Sequence, residues 1–147
     1  MADISLDWDD ELGAFAGRIR TKIAGTIDLI ISPNNTSSSP DPAQVRSAEV
    51  VADMATLKLG IINDMLRQYA ANMVPSADAE DRDDQWRDFE ATDIHLVIVP
   101  PLRDAQRSFA FLVAGTPIDE EHGIALCMKD GMIIAVVHSD FAYATCR

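Results

Sequence analysis

Hydrophobic residues near the start of the chain fall at every second position. Ile4, Leu6 and Trp8 alternate with Ser5 and Asp7, the period of a half-buried strand. Asp9-Asp10-Glu11-Leu12-Gly13 predicts a turn, since Gly13 tolerates a positive φ. A second strand carries Phe15 and Ile19, with Gly17 marking a bulge, and Thr26 to Ile31 form a third beyond Gly25. The links are too short for parallel crossovers, so residues 3–32 read as an antiparallel meander.

Residues 33–41 then hold a polar linker, from Pro33-Asn34-Asn35 through Thr36 and three serines to Pro40. It ends at Asp41-Pro42, an N-cap residue followed by proline at the first helical position. Between 42 and 72 the period changes to that of a helix. Val45, Ala48, Ala52, Ala55, Leu59, Ile62, Leu66 and Tyr69 follow spacings of three and four. This predicts one long packing helix of about 46 Å at 1.5 Å per residue, with Gly60 as the place for a kink.

Residues 75–93 form an acidic segment. Asp78, Glu80, Asp81, Asp83, Asp84, Asp88, Glu90 and Asp93 face only Arg82 and Arg87. Trp86 and Phe89, three apart, predict a short turn that pins this segment to the body. From 94 to 138 the pattern is β again. Ile94 to Val99, Phe109 to Ala114, Gly123 to Met128 and Met132 to His138 are short runs rich in Val, Ile and Phe. Lys129-Asp130-Gly131-Met132 predicts a type I′ hairpin, placing Cys127 opposite Ile134, Ala125 opposite Val136 and Gly123 opposite His138. Both faces of that hairpin are apolar. The long helix covers one, leaving the other for the Trp86 segment, for the Phe141-to-Tyr143 tail or for a partner. The fold expected is a single α+β domain over 1–147: an antiparallel sheet of six or seven strands with one long helix on one face.

Charge narrows the range of partners. Twelve Lys and Arg stand against 24 Asp and Glu, a formal net charge of −12 in 147 residues. Phosphate backbones and anionic bilayers repel such a chain, so neither nucleic acid nor membrane is an expected partner, and basic proteins are. The opening residues carry no signal-peptide pattern, and Met132 to Val137 is far too short to cross a bilayer, so a cytoplasmic location is expected with Cys127 and Cys146 as thiols.

Candidate chemistry is sparse. Glu120-Glu121-His122-Gly123 is the densest constellation, with His138 across the hairpin. Zinc takes four ligands at characteristic spacings, and neither His-Glu-x-x-His nor Cys-x-x-Cys occurs, so no metal or other cofactor is expected. His122 beside a carboxylate has the makings of a general base, yet no nucleophile-elbow context surrounds Ser108 or Ser139. Cys127 sits among apolar strand neighbours, and His95 reads as a partly buried strand residue. Binding, not catalysis, is therefore the expected activity. The expected contact residues are Asp81, Asp83, Asp84 and Asp88 with Trp86 as anchor, joined by Glu120, Glu121 and His122.

Trp8-Asp9-Asp10-Glu11-Leu12-Gly13-Ala14-Phe15-Ala16-Gly17, together with Glu121-His122-Gly123-Ile124-Ala125-Leu126 and Lys129-Asp130-Gly131, resembles families of small bacterial domains associated with polymorphic-toxin and contact-dependent secretion loci. The likeness covers the two ends of the chain, about a third of its length. It implies an immunity protein that neutralises a toxin or effector by occlusion, with no catalytic residues to carry over. A chaperone or adaptor for a secreted effector is the alternative, and either role admits a homodimer.

Overall fold

The computed structural model describes residues 3–33, 39–73, 88–102, 107–116 and 119–144. Their strands are β1 (Ile4–Asp9), β2 (Ala14–Thr21), β3 (Gly25–Ile31), β4 (Ile94–Val99), β5 (Phe109–Thr116), β6 (Asp119–Lys129) and β7 (Met132–His138). The helices are α1 (Pro42–Asp53), α2 (Leu59–Met73) and α3 (Ser139–Ala144), with a 3-10 turn at Ala91–Asp93. All seven strands form one sheet in sequence order, β1 to β7. Neighbours are antiparallel except β3 and β4, which run parallel because the helical segment lies between them.

The single long helix expected over 42–72 is instead two shorter ones. Asp41 caps α1 as expected, its carboxylate accepting from Ala43 N at 2.9 Å. The helix then stops at Met54, whose backbone turns extended (ψ 122°). Nothing in the local sequence forces this, since neither proline nor glycine occurs between 54 and 58. The constraint is tertiary. Lys22 N, in the β2–β3 turn, donates to the Ala52 carbonyl at 3.2 Å and so caps the end of α1. A helix of about 46 Å would also overhang strands of six to eleven residues, most of them about 20–27 Å long. Broken in two, the segment lays α1 over β2, β4 and β5 and α2 over β7. The apolar stripe holds within each helix, with Ala48, Val51 and Ala52 buried on α1 and Ile62 and Leu66 on α2. Between them Ala55 is exposed and Leu59 is largely so.

Alternation decides which side each strand residue takes. Ile19, Leu29, Ile31, Val97, Val99, Leu112, Ile124, Leu126 and Met128 point into the core under the helices. Leu96, Ile98, Phe111, Val113, Ala125 and Cys127 point the other way. That second face is not open. The short α3 packs across β5, β6 and β7, its Ala142 fully buried, and Phe111 retains only 2% of its exposure. Of the candidates for the second face, the C-terminal tail is therefore one that closes over it. The same side of β1–β3 is polar instead, carrying Ser5, Arg18, Arg20, Thr26 and Asp28, and Arg18 stands 3.9 Å from Asp28.

The β6–β7 hairpin has the expected turn. Asp130 (φ 51°) and Gly131 (φ 81°) both take the left-handed backbone that a type I′ turn requires. Its register, however, holds only as far as Met128 opposite Ile133. There β7 carries one extra residue, so that Cys127 faces Ala135, Ala125 faces Val137 and Ile124 faces His138. This bulge directs Val136 toward the helix-side core, Ala135 and Val137 toward the α3 side, and leaves Ile134 exposed. Gly17, by contrast, lies in an unbroken β1–β2 register opposite Leu6 and marks no bulge. A Cβ there would lie 1.7 Å from the Ser5 carbonyl oxygen, so it is the close approach of β1 that demands glycine. His95 is exposed rather than half-buried, at an irregularity between Ile94 and Leu96 that shifts the β4–β5 pairing.

The ends of the parallel pair are tied by a side chain. β4 stops at Pro100-Pro101, which lacks the N–H groups to extend the ladder. Gln44, fully buried on α1, donates Nε2 to the Ser32 carbonyl in a close contact and to the Pro100 carbonyl at 2.9 Å. One turn on, Ser47 Oγ accepts from Phe109 N at 3.1 Å and fixes α1 to the start of β5. Replacing Gln44 by leucine keeps the volume but strips two buried carbonyls of their donor. Gln44→Leu should destabilise the fold by about 2–3 kcal/mol, read as a lower urea midpoint with unchanged slope.

Candidate protein-docking surface

Of the residues expected to bind a partner, those that are described belong to one end of the sheet. Ile94, Ala114, Ile124 and His138 stand in register across β4, β5, β6 and β7. Beyond that row lie the approach to β4 from Asp88 to Asp93, the first residues of β6 and the start of α3. Glu120, Glu121 and His122 contribute backbone to β6, so the topology brings them to the same end as Asp88, which is exposed. Asp81, Asp83, Asp84 and Trp86 lie outside the described residues. Gly123, next to His122, holds φ 75°, and a Cβ there would come within 2.6 Å of the Ala114 carbonyl oxygen. Only glycine fits this bend.

Phe89 pins its end of the acidic segment to the body, as its pairing with Trp86 suggested, while Trp86 lies outside the described residues. It is 3% exposed, packed in the helix-side core, and its backbone N–H donates to Asn63 Oδ1 of α2 at 2.8 Å. Immediately after it, Glu90 N donates to the Asp93 carboxylate at 2.9 Å, which closes the 3-10 turn leading into β4. Phe89 thus secures the acidic segment to the body as a core residue and offers nothing to a partner.

The opposite end of the sheet holds the acid-and-aromatic combination that the sequence suggested for Trp86. Trp8 lies near the end of the edge strand β1 and is 48% exposed. Its alternation with Ser5 and Asp7 points it to the helix side, but α1 lies over β2 and leaves this position half open. Its indole is held on two sides. Nε1 donates to Asp10 Oδ1 at 2.7 Å, and the ring meets Phe15 edge-on with centroids 5.1 Å apart. The turn beneath it is equally ordered. Asp9 Oδ1 accepts from Glu11 N and Leu12 N at 2.9 and 3.1 Å, and Gly13 N donates to the Asp9 carbonyl at 2.9 Å. A fixed, half-exposed tryptophan paired with Asp10 thus stands at a tip that also carries exposed Glu11 and Leu12, with Asp7 and Asp9 on the other face of β1. Five residues of sequence held this signal, obscured by the strand alternation that assigns Trp8 to a core.

Among the described residues, no group of three or more His, Cys, Asp and Glu side chains is placed to hold a metal ion. Cys127 is a free thiol on the α3 side of the sheet, and burial raises its pKa. No helix among the described residues is long and apolar enough to cross a membrane. No family model, no curated protein and no solved structure matches this chain.

Two outcomes follow from this geometry. Because Trp8 is half exposed, Trp8→Ala should cost no more than about 1–2 kcal/mol in urea denaturation, leaving a folded variant suited to binding assays. Burial also lowers the thiolate fraction of Cys127 at any given pH below its raised pKa. In a Cys146→Ser background, labelling by a disulfide reagent at pH 8 should be slow, quicken as pH rises, and become fast in denaturant. Rapid labelling of the native protein at pH 8 would contradict the burial.

Proposed function

We propose that this chain is an immunity protein, which binds a cognate bacterial toxin or effector in the cytoplasm and neutralises it by occlusion, without catalysis. The observation that carries this reading is the β1–β2 tip, a tryptophan pre-organised by Asp10 and Phe15 in a turn that also carries Asp9 and Glu11, in a chain of net charge −12. A rigid aromatic loses little freedom on binding and anchors an interface. Carboxylates around it accelerate encounter with a basic partner and fix its orientation. On a toxin that acts on nucleic acid, they would occupy the positions where phosphates bind. At the far end of the sheet, Asp88 and the backbone positions of Glu120 and Glu121 make up a second candidate contact region.

A chaperone or adaptor for a secreted effector is the second reading. The exposed apolar residues Met132, Ile134, Phe141 and Tyr143 on β7 and α3 favour it, since an unfolded client is held through apolar contact.

Co-expression with the product of the neighbouring gene separates the two. An immunity protein restores growth against a lethal product, whereas a chaperone raises its solubility without rescue. Trp8→Ala combined with Glu11→Lys should weaken rescue and slow association by about tenfold or more, and reversal of Asp83 and Asp84 should slow it and flatten its salt dependence. Full rescue by the Trp8 and Glu11 variant would remove the β1–β2 tip from the interface.

A further inference from the structure

We infer that β7 is the seam of a homodimer, in which two copies pair their β7 edges antiparallel about a two-fold axis and join two seven-stranded sheets into one. The inference does not depend on the proposed function.

The two edges of the sheet are built differently. β1 carries Asp7 and Asp9 among six residues and leads directly into Asp10 and Glu11, the charge by which an edge strand discourages pairing with another chain. β7, Met132–His138, contains no Asp, Glu, Lys, Arg or Pro. Met132 is 65% exposed and Ile134 51%. One face of β7 is packed by α2 and the other by α3, so what it presents outward is its in-plane edge. In a chain with twice as many acids as bases, seven consecutive residues lacking Asp, Glu, Lys and Arg, on an edge paired with no described strand, spare two copies the repulsion that they would meet elsewhere.

Charge at the two ends of the strand selects a second copy as the occupant. Beside Met132, the hairpin turn carries Lys129, Asp130 and Arg107, the last paired with Asp130 at 2.9 Å, so that this end is positive by one. Beside His138 stands Asp140, whose carboxylate is 72% exposed. Antiparallel pairing centred near Ala135 brings the turn of one copy to the α3 start of the other, placing Lys129 near Asp140 twice across the two-fold axis. The strand thus carries both halves of its own complement, the condition for an isologous interface.

Sedimentation velocity on the full chain across a concentration series tests this. The wild type should dimerise, and Ile134→Lys, a change at an exposed position, should be monomeric while keeping the wild-type circular dichroism and a urea midpoint matching that of the wild type diluted to monomer. Lys129→Glu and Asp140→Lys should each weaken the dimer by roughly two- to fivefold, and together recover part of the loss. As a measurement independent of those variants, Ala135→Cys in a Cys146→Ser background should crosslink between copies with a short bifunctional reagent. A wild type monomeric up to its solubility limit would overturn the inference. So would a dimer indifferent to Ile134→Lys, or a double reversal without recovery.

Discussion

The parallel seam between β3 and β4 is the constraint around which the molecule is organised. Two antiparallel units, β1–β3 and β4–β7, are each held by local ladders, and this one ladder joins them. A parallel pair cannot be closed by a tight turn, so the chain must leave the sheet, cover it and return. The covering segment becomes α1 and α2, and the seam fixes where both lie. Gln44 completes the joint by supplying donors where Pro100 and Pro101 end the ladder. Helix, sheet and seam are in this sense one interaction viewed from three sides.

Layering explains the distribution of surfaces. A sheet with both faces apolar in β4–β7 needs cover above and below, and the chain provides α1 and α2 above and α3 below. The polar side of β1–β3 needs none. Apart from Leu59 and Ile61 on α2, the large apolar residues that stay accessible among the described residues lie at the margins: Trp8 and Leu12 at one tip, and Met132, Ile134, Phe141 and Tyr143 along the opposite edge. Function is therefore sought at the rim of the sheet, where the two candidate surfaces carry different chemistry, one acidic around an indole and the other uncharged.

The strands, the Asp41 cap and the Asp130-Gly131 turn were legible because each rests on local chemistry, whether period, capping or backbone angle. The division of the helix was not. The stripe from Val45 to Tyr69 keeps helical spacing through Met54–Lys58, and the stop comes from Lys22, thirty residues earlier in the chain. The register of β7 escaped for a related reason. Met132 to Val137 is apolar at every position, so alternation carries no information about which residue faces inward, and a one-residue bulge leaves no trace. Trp8 shows the converse failure. Its period is correct, but period reports the direction of a side chain and says nothing of how far the covering layer extends. The acidic run was visible as composition, and Phe89, its aromatic in the described residues, is the core anchor that its place in the run suggested.

Strand order has a kinetic corollary. All six ladders join consecutive strands, five of them across short connections, and only the β3–β4 ladder waits for the whole helical crossover to be placed. Chains dominated by nearby contacts lose little entropy before pairing rewards them, so each meander should zip early. Annealing of the two preformed halves along β3 and β4 then becomes the slow event, and the stage at which bare strand edges are most vulnerable to pairing with the wrong neighbour.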